Sequence, residues 1–86
     1  MFLNLGFYNL VALDRVTAII KYGSNPSKNL RNNAIDQGKF IDVTENRGIS
    51  ALVVTNDGFV IASSVTSKVL GIERINKLEE YTKRNI

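Results

Sequence analysis

Apolar residues in this chain fall in short runs, and the polar residues between them set what each run becomes. FLNLGFYNLVAL, residues 2–13, is broken at Gly6 and Asn9, which predicts two brief strands around a turn. VTAIIKY, residues 16–22, is β-branched enough to read as a strand. GSNPSK then breaks the pattern, and Asn25 before Pro26 predicts a helix start, with the Asn as cap and the proline in the first turn. That helix runs from about 25 to 37, with Leu30, Ala34 and Ile35 toward the core and Gly38 ending it in a left-handed cap.

KFIDV and SALVVT read as strands on either side of a short loop whose charged residue is Arg47. In TNDGFVIAS, Asp57-Gly58 between two apolar runs predicts a tight hairpin. From Thr66 onward Val69, Leu70, Ile72, Ile75 and Leu78 recur at helical spacing among charged residues, which predicts an amphipathic helix over about 66–84. Gly71 weakens its first half, and the closing YTKRNI reads as a fraying end.

These elements make one α+β domain over residues 1–86, with short, mostly antiparallel strands, a central helix and a C-terminal helix. ALVV and FVIA are apolar at successive positions, so both faces of that hairpin need cover, from two short helices or from a second subunit. The apolar stripe of the last helix needs a partner as well. Both demands favour a homo-oligomer.

Composition narrows the chemistry. No cysteine and no histidine occur, which removes the thiolate nucleophile, sulfur-ligated metal and the usual neutral-pH general base. The carboxylates Asp14, Asp36, Asp42, Glu45 and Asp57 are scattered over turns and strand ends without the spacing of a catalytic pair. We therefore expect no enzyme, no metal and no cofactor, and no small-molecule substrate is evident. The apolar runs are too short to span a membrane and Met1-Phe2-Leu3 opens no leader segment, so the expected location is cytoplasmic.

A net charge of +3 points mildly to anionic partners. Arg47 is either a solvated loop residue beside Glu45 or a phosphate contact, and Arg15 is either a local pair with Asp14 or a second contact. Lys28 and Arg31 share a helix face that reads as solvated, Lys21 and Lys39 flank strand ends where they would extend a basic stripe, and Lys28, Arg31 and Lys39 are the candidate secondary contacts. Phe7 and Tyr8 lack interleaved basic residues, so they read as turn and core packing rather than a stacking platform.

NLGFYNLVALDRVTAII, the helix at Pro26, GKFIDVT, Arg47, ALVVT and VIASSV together resemble the RemA-type bacterial extracellular-matrix regulators, in order from about Leu3 to Leu70. Residues 71–86 form a helical extension beyond the resemblance. The resemblance implies a small regulator that binds double-stranded DNA at AT-rich or bendable sites and activates matrix (biofilm) operons. It also implies a ring of identical subunits, seven by that likeness, presenting basic residues repeatedly. Arg15 and Arg47 match the family's arginines. The family loop reads RRTR where this chain has RGIS, so Gly48 and Ser50 stand at arginine positions. That departure leaves an alternative: a structural or protein-interaction homo-oligomer of the same fold that has lost DNA binding.

Overall fold

The two strands that are apolar throughout take the centre of the sheet. A computed structural model describes residues 1–84. It contains strands β1 (Phe2–Asn4), β2 (Leu10–Ala12), β3 (Val16–Lys21), β4 (Phe40–Asp42), β5 (Ala51–Thr55) and β6 (Val60–Ser63), with helices α1 (Asn25–Asp36) and α2 (Ser67–Arg84). A one-turn 3-10 segment, Leu13–Arg15, joins β2 to β3. The main sheet runs β3-β5-β6-β4, and β1-β2 forms a separate hairpin. All pairings are antiparallel except β4 with β6, which is parallel. The α+β expectation holds, with the sheet mixed rather than uniformly antiparallel at its β4 edge.

Period-2 alternation persists inside the buried strands. Ala51, Val53 and Ile61 face one side, in a cluster with Leu3, Leu5, Val11, Leu13, Val16 and Leu70 from the β1-β2 hairpin, its 3-10 exit, β3 and α2. Leu52, Val60 and Ala62 face the other side with Ala34 and Leu30 of α1. The cover that the sequence demanded for this hairpin thus comes from the chain itself, and three layers result.

Local signals account for most boundaries. Ser24, not Asn25, caps α1: its Oγ accepts from the Ser27 N–H at 3.3 Å, and the buried Ser27 Oγ donates back to the Ser24 carbonyl at 2.7 Å. Asn25 is the first helical residue and Pro26 follows it. Gly38 ends the helix at φ +70, as expected. Ala34 is buried and Leu30 packs, but Ile35 is exposed because it sits one residue off the stripe that meets the sheet. In the β5-β6 hairpin, Gly58 (φ +87) follows Asn56-Asp57 and lets the Thr55 N–H reach the Phe59 carbonyl at 2.9 Å.

α2 corrects the expected stripe. Leu70 is fully buried, whereas Val69, Ile72, Ile75 and Leu78 are exposed. Steps of three residues turn about 300°, so that row spirals off the buried face instead of sharing it. α2 continues to Arg84, and the end of the expected fraying segment, residues 85–86, lies outside the described residues.

Candidate nucleic-acid interface

The Arg47 loop is shaped by an Asp-Thr turn and by left-handed backbone. Asp42 Oδ1 accepts from the Thr44 hydroxyl at 2.7 Å and from the Thr44 N–H at 2.9 Å. The Thr44 hydroxyl and amide hold the Asp42 carboxyl below the ordinary carboxylate range, with a smaller contribution from the Arg31 charge. Thr44 itself is buried and fixes where the loop leaves the sheet. Glu45 and Asn46 then take φ +53 and +63, and the Arg47 N–H returns to the Thr44 carbonyl at 3.0 Å. Two consecutive positive φ values give the pattern of a type I′ turn. Gly48 follows at φ +84 with open space on its Cα.

A second turn of the same pattern lies beside the first. Phe7 and Tyr8 take φ +53 and +64, and the Asn9 N–H meets the Gly6 carbonyl at 3.0 Å. Apart from asparagine, non-glycine residues are rare in this region, so Phe7, Tyr8 and Glu45 in two adjoining turns mark a place where backbone strain is retained. The Arg47 guanidinium sits 5.7 Å from the Phe7 ring centroid, within cation–π range. Arg47 is therefore exposed but propped on an aromatic face. Tyr8, which the sequence assigns to turn and core packing, occupies the turn but not the core: 98% of it is exposed. Ser63 ties this turn to the sheet, since its buried Oγ donates to the Leu5 carbonyl at 2.8 Å and accepts from the Val65 N–H at 3.0 Å.

Arg15 sits at the other end of the sheet. Val16 pairs with Thr55, whereas the Arg47 loop leads into Ala51, so β5 separates the two arginines by about 13 Å of strand. Asn56 clamps the 3-10 segment that carries Arg15: its N–H donates to the Arg15 carbonyl at 2.9 Å, and its Nδ2 to the Asp14 carbonyl at 3.1 Å. Thr17 Oγ1 donates to Asn56 Oδ1 at 2.6 Å, and a register shift between Val16 and Ala18 re-aims this corner. Sequence reasoning missed Asn56, and the residue before an Asp-Gly turn was the signal available.

Asp57 faces Arg15 and Lys39. The Thr55 hydroxyl, donating at 2.6 Å, holds its carboxyl low, with smaller help from those two charges. Lys39 donates to the Asp57 carbonyl at 3.1 Å and lies 5.8 Å from the Phe59 ring, so it belongs to the hairpin turn. Arg31 lies over Phe40 at 5.5 Å with its Nε buried and without a hydrogen-bond partner, and Lys28 is exposed on α1. One protomer thus gathers Arg15 and Lys39 at one end, holds Arg47 at the other, and keeps Lys28 and Arg31 on α1. Among the described residues no group of three acidic, histidine or cysteine side chains is placed to hold a metal, and no helix is long and apolar enough to cross a membrane.

Comparison with known proteins identifies the family. Residues 2–74 match the profile of a family described as extracellular matrix regulatory protein A-like, which takes in the first two turns of α2 as well as the sheet. A "Putative regulatory protein" of Thermodesulfovibrio yellowstonii is 35% identical over 78 residues, covering 91% of both chains. Another of that name from Nitratidesulfovibrio vulgaris is 40% identical over 68 residues, 79% of each chain. A third, from Petrotoga mobilis, is 40% identical over 68 residues, 79% of this chain and 72% of its own. The chain belongs to the RemA-like family, and its role is that of a regulatory protein.

Proposed function

We propose that this chain regulates transcription of extracellular-matrix (biofilm) genes in the cytoplasm by binding double-stranded DNA as a ring of identical subunits. The observation that carries this is Arg47, held outward on a turn of retained strain and propped on Phe7. A guanidinium so held loses little freedom on meeting a phosphate, and its fork suits two charge-assisted bonds.

A single arginine binds DNA weakly, and Gly48 and Ser50 leave this loop with one. β5 keeps Arg15 and Arg47 of one protomer at opposite ends of the sheet. In a head-to-tail ring Arg47 of one subunit approaches Arg15 of the next, and the pair repeats around the circle. Repetition along one duplex then adds the contacts through effective concentration. Phosphate contacts set position, and preference among sequences comes from how readily AT-rich DNA bends onto the ring.

A second reading has one observation in its favour. The RGIS loop departs from the RRTR pattern in its two later arginine positions, which suits an interaction oligomer without DNA. Titrating a fluorescent AT-rich duplex separates the two. Wild type should bind, and Arg47→Ala should weaken binding by about tenfold or more. Equal binding by both proteins, or none at low salt, contradicts the DNA reading.

A further inference from the structure

Tyr8 is held where the protomer makes no use of it. Its side chain is 98% exposed, and its backbone stands at φ +64, a region that favours glycine or asparagine. The turn around it is braced. The Leu5 N–H donates to the Asn9 carbonyl at 2.8 Å, the Gly6 N–H to Asn4 Oδ1 at 2.9 Å, and Asn9 Nδ2 to the Gly6 carbonyl at 3.1 Å. Ser63 anchors the same loop to the sheet through the Leu5 carbonyl at 2.8 Å. A tyrosine on so fixed a backbone has only two side-chain torsions to order, so little freedom is lost when its tip meets a partner.

The neighbours of Tyr8 decide what that partner is. Phe7, the preceding residue, carries the exposed Arg47 guanidinium 5.7 Å from its ring centroid, so Tyr8 and Arg47 belong to one pair of adjoining turns. An anion drawn to Arg47 therefore arrives beside a solvent-facing phenol O–H, and tyrosine hydroxyls are among the donors that proteins aim at DNA phosphates. Arg47 is the only cation of TENRGIS, residues 44–50, and Glu45 in the same loop offsets part of its attraction. A neutral donor adds a bond to phosphate without depending on that balance of charge. Bases inside a duplex are stacked on one another, so the hydroxyl rather than the ring is what meets the backbone.

From this placement we infer that Tyr8 is a DNA-contacting residue: its hydroxyl donates to a backbone phosphate next to the one that Arg47 meets. A neutral hydrogen bond thus supplies part of the grip that the RGIS loop lacks in charge. The inference rests on the duplex-binding reading above for its partner.

Tyr8→Phe keeps the ring and removes the donor, whereas Tyr8→Gly removes both and relieves the left-handed backbone, so each variant retains the fold. A fluorescent AT-rich duplex is titrated with each protein over a salt series. Tyr8→Phe should bind about threefold or more weakly than wild type at every salt concentration. Its slope of log K against log salt should equal that of wild type, because a neutral donor releases no counterion, while Arg47→Ala flattens the slope. Light scattering after size exclusion should give Tyr8→Phe the mass of wild type. Tyr8→Phe that binds as tightly as wild type overturns the contact alone, and if Tyr8→Gly is then weak, the ring makes the contact instead. A flattened slope or a changed mass in Tyr8→Phe also overturns it, since the phenol then acts through charge or through assembly. A wild type that binds no duplex overturns the DNA reading and this contact together.

Discussion

Phe7, Tyr8, Glu45 and Asn46 hold positive φ in the two turns that flank Arg47. A non-glycine residue pays roughly 1–2 kcal/mol in this region, offset in glycine by about 0.5–1 kcal/mol of chain entropy. Glu45→Gly is therefore expected to stabilise the protomer by about 0.5–1 kcal/mol in urea unfolding, since Glu45 is exposed and has no packing to lose. The Asp42 and Asp57 carboxyls titrate below their ordinary value because Thr44 and Thr55 donate to them. A lowered folded-state pKa stabilises the fold above the unfolded value of about 3.9 and loses that contribution as pH falls through the folded value. Stability should therefore decline below about pH 4, and Asp42→Asn should flatten that decline in acid titrations followed by circular dichroism. Little of this was legible in the sequence. Arg15 and Arg47 stood out as charges near turns, but Tyr8 read as turn and core packing because no basic residue interleaves with it. Its exposure follows from a left-handed turn that composition points away from.

Among the elements, those built from neighbouring residues were legible: α1 with its proline and closing glycine, the Asp-Gly hairpin, and the paired opening strands. Parallel pairing of β4 with β6 was not, because it depends on a crossover and a long-range register rather than on any local signal. The spacing of α2 showed a helix but not its buried face, which one residue, Leu70, decides. Leu70→Ala should cost about 2–5 kcal/mol and detach α2 from β1 and β3. Val69→Ala, on the exposed side, should stay within about 0.5 kcal/mol in the protomer. Ser63→Ala leaves the Leu5 carbonyl and the Val65 N–H without their partner, so a loss of about 1–3 kcal/mol is expected, with faster amide exchange in the Gly6–Asn9 turn.

At the scale of the whole molecule, a protomer with unlike ends is the unit. The chain covers both faces of its central strands itself, so the expected demand for a covering subunit there is removed. The two ends of the protomer differ: the groove beside Leu78 lies at one, and the left-handed aromatic turn with Arg47 at the other. This division gives the single-arginine loop its meaning. One arginine per protomer suffices for DNA only if copies repeat it along a duplex, so the number of phosphates neutralised is the quantity to measure. Plotting log K against log salt for wild type and Arg47→Ala measures it, because the slope is about −0.9 per phosphate on duplex DNA. A ring that repeats Arg15 and Arg47 along one duplex would give a wild-type slope steeper than about −4 and a clearly shallower one in Arg47→Ala. A slope near −1, or equal slopes for the two proteins, would contradict the account.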